Sequence, residues 1–216
     1  MKKCPLCNCE SVFQLKLSKK YKDVQYLHCP ECDLIFVPEK FHLSLKDEAA
    51  RYILHENSLL NEGYVNMFLE IISLIRKYCP DLNSVLDYGC GYEPVLAELF
   101  KKDGLNCDIY DSNFFPRFPE RSYDLVIVTE VFEHFRNPGA ELDKINSLIN
   151  PSGYLAIRTS FHNLNLIEDF ENWWYITDPT HICFLSIRTF EWISRELDME
   201  IIYNNDKNFI ILSKQF

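Results

Sequence analysis

The sequence predicts an α/β protein, a mostly parallel sheet with an antiparallel last strand, preceded by a small metal-stapled ribbon. Three observations carry this. Two Cys-Pro-x-Cys knuckles, Cys4–Cys7 and Cys29–Cys32, open the chain. An apolar strand running into a glycine turn, Leu86-Asp-Tyr-Gly-Cys-Gly91, follows some fifty residues later. Met199-Glu-Ile-Ile-Tyr, a polar turn at 204–208 and Phe209-Ile-Ile-Leu-Ser then close the chain as a hairpin. With 216 residues, 47% of them hydrophobic, the chain can bury one core of about 150 residues and leave roughly fifty for a satellite. The expected division is a ribbon over 1–42, a helical linker or lid over 43–80, and the α/β domain over 81–216.

In the ribbon, each CxxC turn presents two thiolates from one tight loop, and two such turns supply the four soft ligands of a tetrahedral zinc site. Cys4, Cys7, Cys29 and Cys32 are the expected ligands, with rubredoxin-like iron as the chemical rival; Cys9 and His28 are read as non-ligands. Between the knuckles, Val12-Phe-Gln-Leu-Lys-Leu and Val24-Gln-Tyr-Leu-His-Cys alternate well enough to be the strands of a hairpin. So small a module buries little surface, so the metal is expected to supply much of its folding energy.

Charge and cysteine use narrow the function. The net charge is −10, and residues 1–50 hold eight lysines against seven acids, so the acidity lies in the remainder. That disfavours nucleic acid as a partner. Lys16, Lys19, Lys20 and Lys22 form the one basic patch, expected at a solvated hairpin tip. Five cysteines beyond the knuckles are scattered singly, as in a reducing compartment. No apolar run reaches the roughly 18 to 20 residues that span a bilayer, and the start shows no apolar signal stretch, so a cytoplasmic location is expected.

Within 43–80, Tyr64, Met67, Phe68, Ile71, Ile72 and Ile75 recur at helical spacing, and Cys79-Pro80 ends the run. Arg51, Tyr52, His55, Glu56 and Asn57 just upstream are either caps and turns or contacts to a ligand. The strand at 84–88 ends in Asp87; Gly89 and Gly91 allow close backbone approach, and a helix begins near Pro94. A second strand, Asn106-Cys-Asp-Ile-Tyr-Asp111, places an acid 20 residues past Gly91, where a carboxylate suits ribose hydroxyls. A dinucleotide fingerprint would need glycine where Pro94 stands. The strand Tyr123-Asp-Leu-Val-Ile-Val-Thr129, the segment Pro151–Thr159, a final helix over Thr189–Leu197 and the closing hairpin complete the order.

At these residues the chain resembles class I S-adenosylmethionine-dependent methyltransferases, whose Rossmann-like sheet has an antiparallel last strand; with the ribbon it is similar to bacterial members carrying a zinc-binding leader. The resemblance spans about 80–216. It implies that Asp87, Gly89 and Gly91 hold the methionine and ribose part of the cofactor and Asp111 the ribose hydroxyls. The family's third glycine is Glu93 here, a carboxylate expected either to cap the next helix or to repel the cofactor carboxylate. Only 12 residues separate Asp111 from Tyr123, so the sheet is expected one strand short, with the adenine pocket rebuilt from Asn113, Phe114 and Phe115.

Glu130, Glu133 and His134 follow a strand's carboxyl end, the edge where open α/β sheets place active sites. A helix starting there would set them on one face. His181 follows in the aromatic segment Trp173-Trp-Tyr-Ile-Thr-Asp-Pro-Thr-His181. An ExxEH segment with a distant histidine resembles small-RNA 2′-O-methyltransferases and ubiquinone-pathway O-methyltransferases, where it implies a divalent metal, here a mixed O/N set suiting Mg, Mn, Fe or Zn. Metal binding, metal-free acid/base work and packing stay open for these four residues. The expected activity is methyl transfer to a small-molecule oxygen or carbon acceptor; the rival readings are an RNA methyltransferase and an inactive methyltransferase-like zinc protein.

Overall fold

The computed structural model describes residues 3–18, 23–52, 59–163 and 167–215. Its central sheet has six strands: β4 (Ser84–Tyr88), β5 (Asn106–Tyr110), β6 (Tyr123–Thr129), β7 (Ile149–Arg158), β9 (Met199–Asn204) and β10 (Phe209–Lys214). Their order is β5-β4-β6-β7-β10-β9. β4 pairs in parallel with β5 and β6, and β6 with β7. β10 runs antiparallel to both β7 and β9. The predicted reversed strand is therefore β10, inserted one place inside the edge.

Strand alternation divides the apolar residues between two cores. Val85, Leu125, Ile127, Ala156 and Ile211 face α2 (Glu62–Tyr78) and α3 (Val95–Lys102). Leu86, Val126, Val128, Leu155, Ile157 and Leu212 face α4 (Pro138–Ser147), α6 (Ile187–Glu196) and the ribbon. Chain order explains the caps. Asn61 accepts the Tyr64 N–H at 3.1 Å to open α2, and Ser186 and Thr189 close a capping box on α6. The box starts α6 at Ile187, two residues ahead of the expected Thr189. Asn137, followed by Pro138, starts α4, which periodicity did not suggest.

The 43–80 stretch is not one helix. α1 (Leu45–Tyr52) and α2 are separate, and His55, Glu56 and Asn57 lie outside the described residues, as do Lys19, Lys20 and Lys22.

The ribbon's sheet differs from a simple hairpin. β1 (Phe13–Gln14) and β2 (Leu27–His28) pair as expected but shorter, β3 (Ile35–Phe36) adds to them, and β8 (Cys183–Phe184), from far along the chain, pairs with β3. A short helix, α5 (Ile167–Asn172), precedes β8. At the other end, the chain between β5 and β6 contains no strand among the described residues; Asp111 and Phe115 bridge, and residues 116–122 run past the outer edge of β5. The sheet thus lacks the third strand, as the 12-residue spacing implied.

Candidate active site

One cavity of about 740 Å³ opens at the carboxyl ends of β4, β5 and β6. Gly89, Gly91, Asp111, Asn113, Glu130, Glu133, His134 and His181, predicted from separate stretches of sequence, all line it. Asp87 lies behind it, 3% exposed at the end of β4.

The glycine turn forms one wall. Gly89 and Cys90 donate their N–H groups to the Tyr110 carbonyl, which ties the turn to β5. Gly89 has φ +86°, and a Cβ there would meet the Val131 side chain at 2.5 Å, so glycine alone lets the turn approach the end of β6. Gly91 has φ +69°, and a Cβ would meet nothing within 4 Å, so its backbone faces open space. Asp111 Oδ2 accepts the Gly91 N–H at 3.1 Å, and Oδ1 accepts those of Asn113 (2.8 Å) and Phe114 (3.1 Å). A carboxylate offers about four acceptor positions, so the three amides fix Asp111 and leave capacity for one further donor. Burial, then the charge of Asp111, pushes Asp87 up to about 7.

Glu93 neither caps α3 nor reaches the cavity. Its carbonyl accepts the Val95 N–H, its side chain is exposed, and it is not among the lining residues. Phe115 is likewise off the wall, engaged in its bridge to Asp111, whereas Asn113 and Phe114 reach it.

The opposite wall is built of carboxyls and imidazoles. The expected helix at 130 is instead a single 3₁₀ turn, Phe132–His134, preceded by Glu130 in the left-handed region at φ +53°. Bulky Phe132 is fully buried and anchors the turn. Glu130 points elsewhere than a helix would send it, forming an ion pair with Arg158 at 3.2 Å. His134 Nδ1 lies 2.9 Å from the Thr180 carbonyl and His181 Nδ1 2.7 Å from the Tyr175 carbonyl. A carbonyl only accepts, so both rings carry a proton on Nδ1 and turn Nε2 the other way. Their ring centroids are 4.9 Å apart. Burial pulls His134 below the usual imidazole range, so it is neutral at pH 7.

Tyr175, from the same aromatic segment as His181, is the hub. Its hydroxyl donates to Glu133 Oε1 at 2.5 Å and lies 3.1 Å from Thr159 Oγ1 and 3.3 Å from Glu130 Oε2, while its ring contacts His181 at 4.1 Å between centroids. One phenol proton cannot serve both acids. The shorter bond, to Glu133, takes it; burial, then the charge of Glu133, pushes Glu130 up to about 8, against the pull of Arg158 and the Tyr175 hydroxyl. Burial also raises Glu133. A tyrosine three residues ahead of Asp178-Pro-Thr-His181 was the available signal, and its bonding partners are too distant in sequence to read.

Among the described residues, two side-chain sets have metal-ligand geometry. The donor atoms of Cys4, Cys7, Cys29 and Cys32 lie within 4.8 Å of one another, and so do those of Glu133, His134 and His181. Cys9 accepts the Ser11 N–H and His28 bonds Asp33 at 2.7 Å, so neither joins the first set. Glu130 is not in the second. Among the described residues Glu133 Oε2 is buried without a hydrogen-bond partner, and an orphaned carboxylate oxygen beside two imidazoles suits a cation.

The family model for a methyltransferase domain matches residues 62–204, from the start of α2 to the end of β9. The chain belongs to this family. The family is that of S-adenosylmethionine-dependent methyltransferases, and the open backbone at Gly91 and the spare acceptor capacity of Asp111 leave room for such a cofactor. No curated protein matches the chain. Among solved structures it is similar to an O-methyltransferase family protein from Burkholderia thailandensis (TM-score 0.55, 12% identity, 78% of this chain and 63% of that one). A SAM-dependent methyltransferase from Archaeoglobus fulgidus is also similar (TM-score 0.51, 18% identity, 76% and 99%). So is a phosphoethanolamine N-methyltransferase of Haemonchus contortus, solved with phosphomonomethylethanolamine and S-adenosylhomocysteine (TM-score 0.55, 13% identity, 81% and 61%). The chain thus spans less than two thirds of the first and third. At these identities the likeness is one of fold. No described helix is long and apolar enough to cross a membrane.

Proposed function

We propose that the methyltransferase alkylates an oxygen or carbon acid of a small-molecule acceptor, held between the glycine turn and the His134–His181 pair. The observation carrying this is that one cavity joins both walls. Bound S-adenosylmethionine supplies an electrophilic methyl group, and Gly89, Gly91, Asp111 and Asn113 are the residues to hold it; Asp87, expected among them, lies behind the turn and supports it from there. Alignment of acceptor and donor in this cavity is worth roughly 7 to 11 kcal/mol at best.

His134, neutral and with its Nε2 lone pair fixed by the Thr180 carbonyl, takes the acceptor proton; His181 is oriented the same way by Tyr175. Glu133 Oε1, 4.0 Å from His134 Nε2, stabilises the imidazolium formed. Such base catalysis contributes about 10² to 10⁴ in rate. The orphaned Glu133 oxygen favours a second reading in which Glu133, His134 and His181 hold a divalent cation that orients the acceptor oxygen. The four ribbon cysteines are assigned a structural zinc. The five cysteines scattered singly beyond the knuckles favour a reducing, cytoplasmic setting, and the acidic charge favours a partner other than nucleic acid.

The test is calorimetric titration with S-adenosylmethionine, followed by transfer of labelled methyl to a panel of small phenols, alcohols and carbon acids. Binding with transfer that His134→Ala and His181→Ala abolish is expected. Absence of cofactor binding would leave a methyltransferase fold without the activity, and transfer to none but RNA would overturn the acceptor class.

A further inference from the structure

The zinc-type ribbon is the one sequence motif that methyl transfer does not use, and its contacts converge on the acid–imidazole wall. We infer that the ribbon is the positioning scaffold of Glu133, His134 and His181, while the cofactor wall stands independently of it. The inference rests on the reading of that wall as the reaction centre.

Two docking points carry the argument. First, β3 leads out of the Cys29–Cys32 knuckle and pairs with β8, matching Ile35 to Phe184 and Phe36 to Cys183. The residue between His181 and β8 is clamped from both sides: Ile182 donates its N–H to the Glu133 carbonyl at 2.8 Å and accepts the Val37 N–H at 2.9 Å. One backbone unit thus ties the ribbon to the turn bearing Glu133 and to the loop bearing His181. Buried Asp33, next to Cys32, locks the far end of β8 through Ser186 Oγ at 2.5 Å, and its carbonyl lies 3.0 Å from His162 Nε2. Second, the Cys4–Cys7 knuckle seats on the first turn of α4, directly after the Glu133–His134 turn. Gly139 donates its N–H to the Pro5 carbonyl at 3.1 Å, and a Cβ at Gly139 would lie 2.8 Å from the Leu6 carbonyl oxygen. Between the two points, Cys183 Sγ reaches the Phe135 carbonyl at 3.3 Å.

The cofactor wall is held by different bonds, those of Gly89 and Cys90 to Tyr110 and of Gly91 to Asp111, all made within β4, β5 and their loops. Disturbing the ribbon should therefore loosen one wall of the cavity and spare the other. Backbone at Gly139 is ordinary helix, so a larger residue there acts by displacing the knuckle alone.

The experiment uses the full chain as wild type, Gly139→Val and Cys29→Ser. Hydrogen exchange is followed by mass spectrometry, the imidazole nitrogens by NMR of protein labelled in histidine, and S-adenosylmethionine affinity by calorimetry. In both variants the amides of 133–135 and 182–185 should exchange about tenfold faster or more, and the Nδ1 resonances of His134 and His181 should shift as their carbonyl partners move. Cofactor affinity should stay within about threefold of wild type, which also shows that the main sheet remains folded. Protection of 182–185 while the ribbon amides open would overturn the inference. So would a loss of cofactor affinity in step with the histidine changes, or Gly139→Val protein identical to wild type throughout. Failure of the wild type to bind S-adenosylmethionine would strike the functional reading instead, since the exchange and nitrogen measurements need no cofactor.

Discussion

Replacing Asp111 by alanine tests the cofactor wall most directly. The carboxylate spends three acceptor positions on the amides of Gly91, Asn113 and Phe114 and has capacity for one more. If that remaining position receives a ribose hydroxyl, its loss costs about 1.5 to 3 kcal/mol, the usual value for a hydrogen bond to a charged group. At about 1.4 kcal/mol per tenfold, the dissociation constant for S-adenosylmethionine should rise by roughly 10- to 150-fold. Freed amides also loosen the turn, so the larger figure is the better guide. Calorimetry on the variant and on Asp108→Ala, whose carboxylate lies on β5 and pairs with Arg121 of the β5–β6 connection, separates the local effect from a general weakening of β5. A folded Asp111→Ala protein with wild-type affinity, or an equal loss in Asp108→Ala, would refute the assignment.

Asp87 makes a pH prediction. Its pKa is near 7 when folded against an ordinary value of 3.8, so the folded state binds the proton more tightly. This group's contribution to stability is therefore fully present below about pH 4 and falls as pH rises to about 7. Urea unfolding should show Asp87→Asn gaining roughly 3 to 5 kcal/mol relative to wild type between pH 4 and 8; parallel profiles would contradict the burial argument. Gly89→Ala should cost about 2 to 4 kcal/mol from positive φ and the Val131 contact together. Adding Val131→Ala should restore only the steric share, and full restoration would mean that the backbone conformation is not the constraint. Wild-type protein is expected to carry about one zinc per chain by elemental analysis, lost in Cys29→Ser; retention would remove Cys29 from the ligand set. Mn²⁺ titrated into chelator-treated protein should bind at Glu133, His134 and His181, and His181→Ala should abolish it, whereas undiminished binding would displace the cation from that site.

The parts legible in sequence were those written in local patterns. The β4 strand, its glycines and the acid ending β5 announce themselves because turn conformation and close approach restrict residue choice within a few positions. The short β5–β6 connection likewise foretold the missing strand. Glu130 was misplaced because the helical spacing of Glu130, Glu133 and His134 is indistinguishable, by residue type, from a 3₁₀ turn entered through a left-handed residue. β3, β8 and Tyr175 were missed for another reason: strands of two residues carry no period, and the partners of Tyr175 at 130, 133 and 159 meet only after the sheet is assembled. Nothing near Glu93 in the sequence could show that its side chain leaves the cavity.

Leaving out a strand also leaves a sheet with an open rail. β5 ends the six-strand sheet, so one row of its peptide groups faces outward, the geometry on which a neighbouring molecule could template a seventh strand and begin an aggregate. The chain that runs past this rail is composed against that outcome. Pro116 and Pro119 cannot donate to a ladder, and Asp108 on the strand itself is engaged by Arg121 at 2.9 Å and by the Tyr123 hydroxyl at 2.8 Å. The stretch that a fuller sheet would use for a helix and strand is here unsuited to pair as a seventh strand, and apolar residues at 117, 119 and 121 should make the protein more prone to self-associate, which light scattering would read.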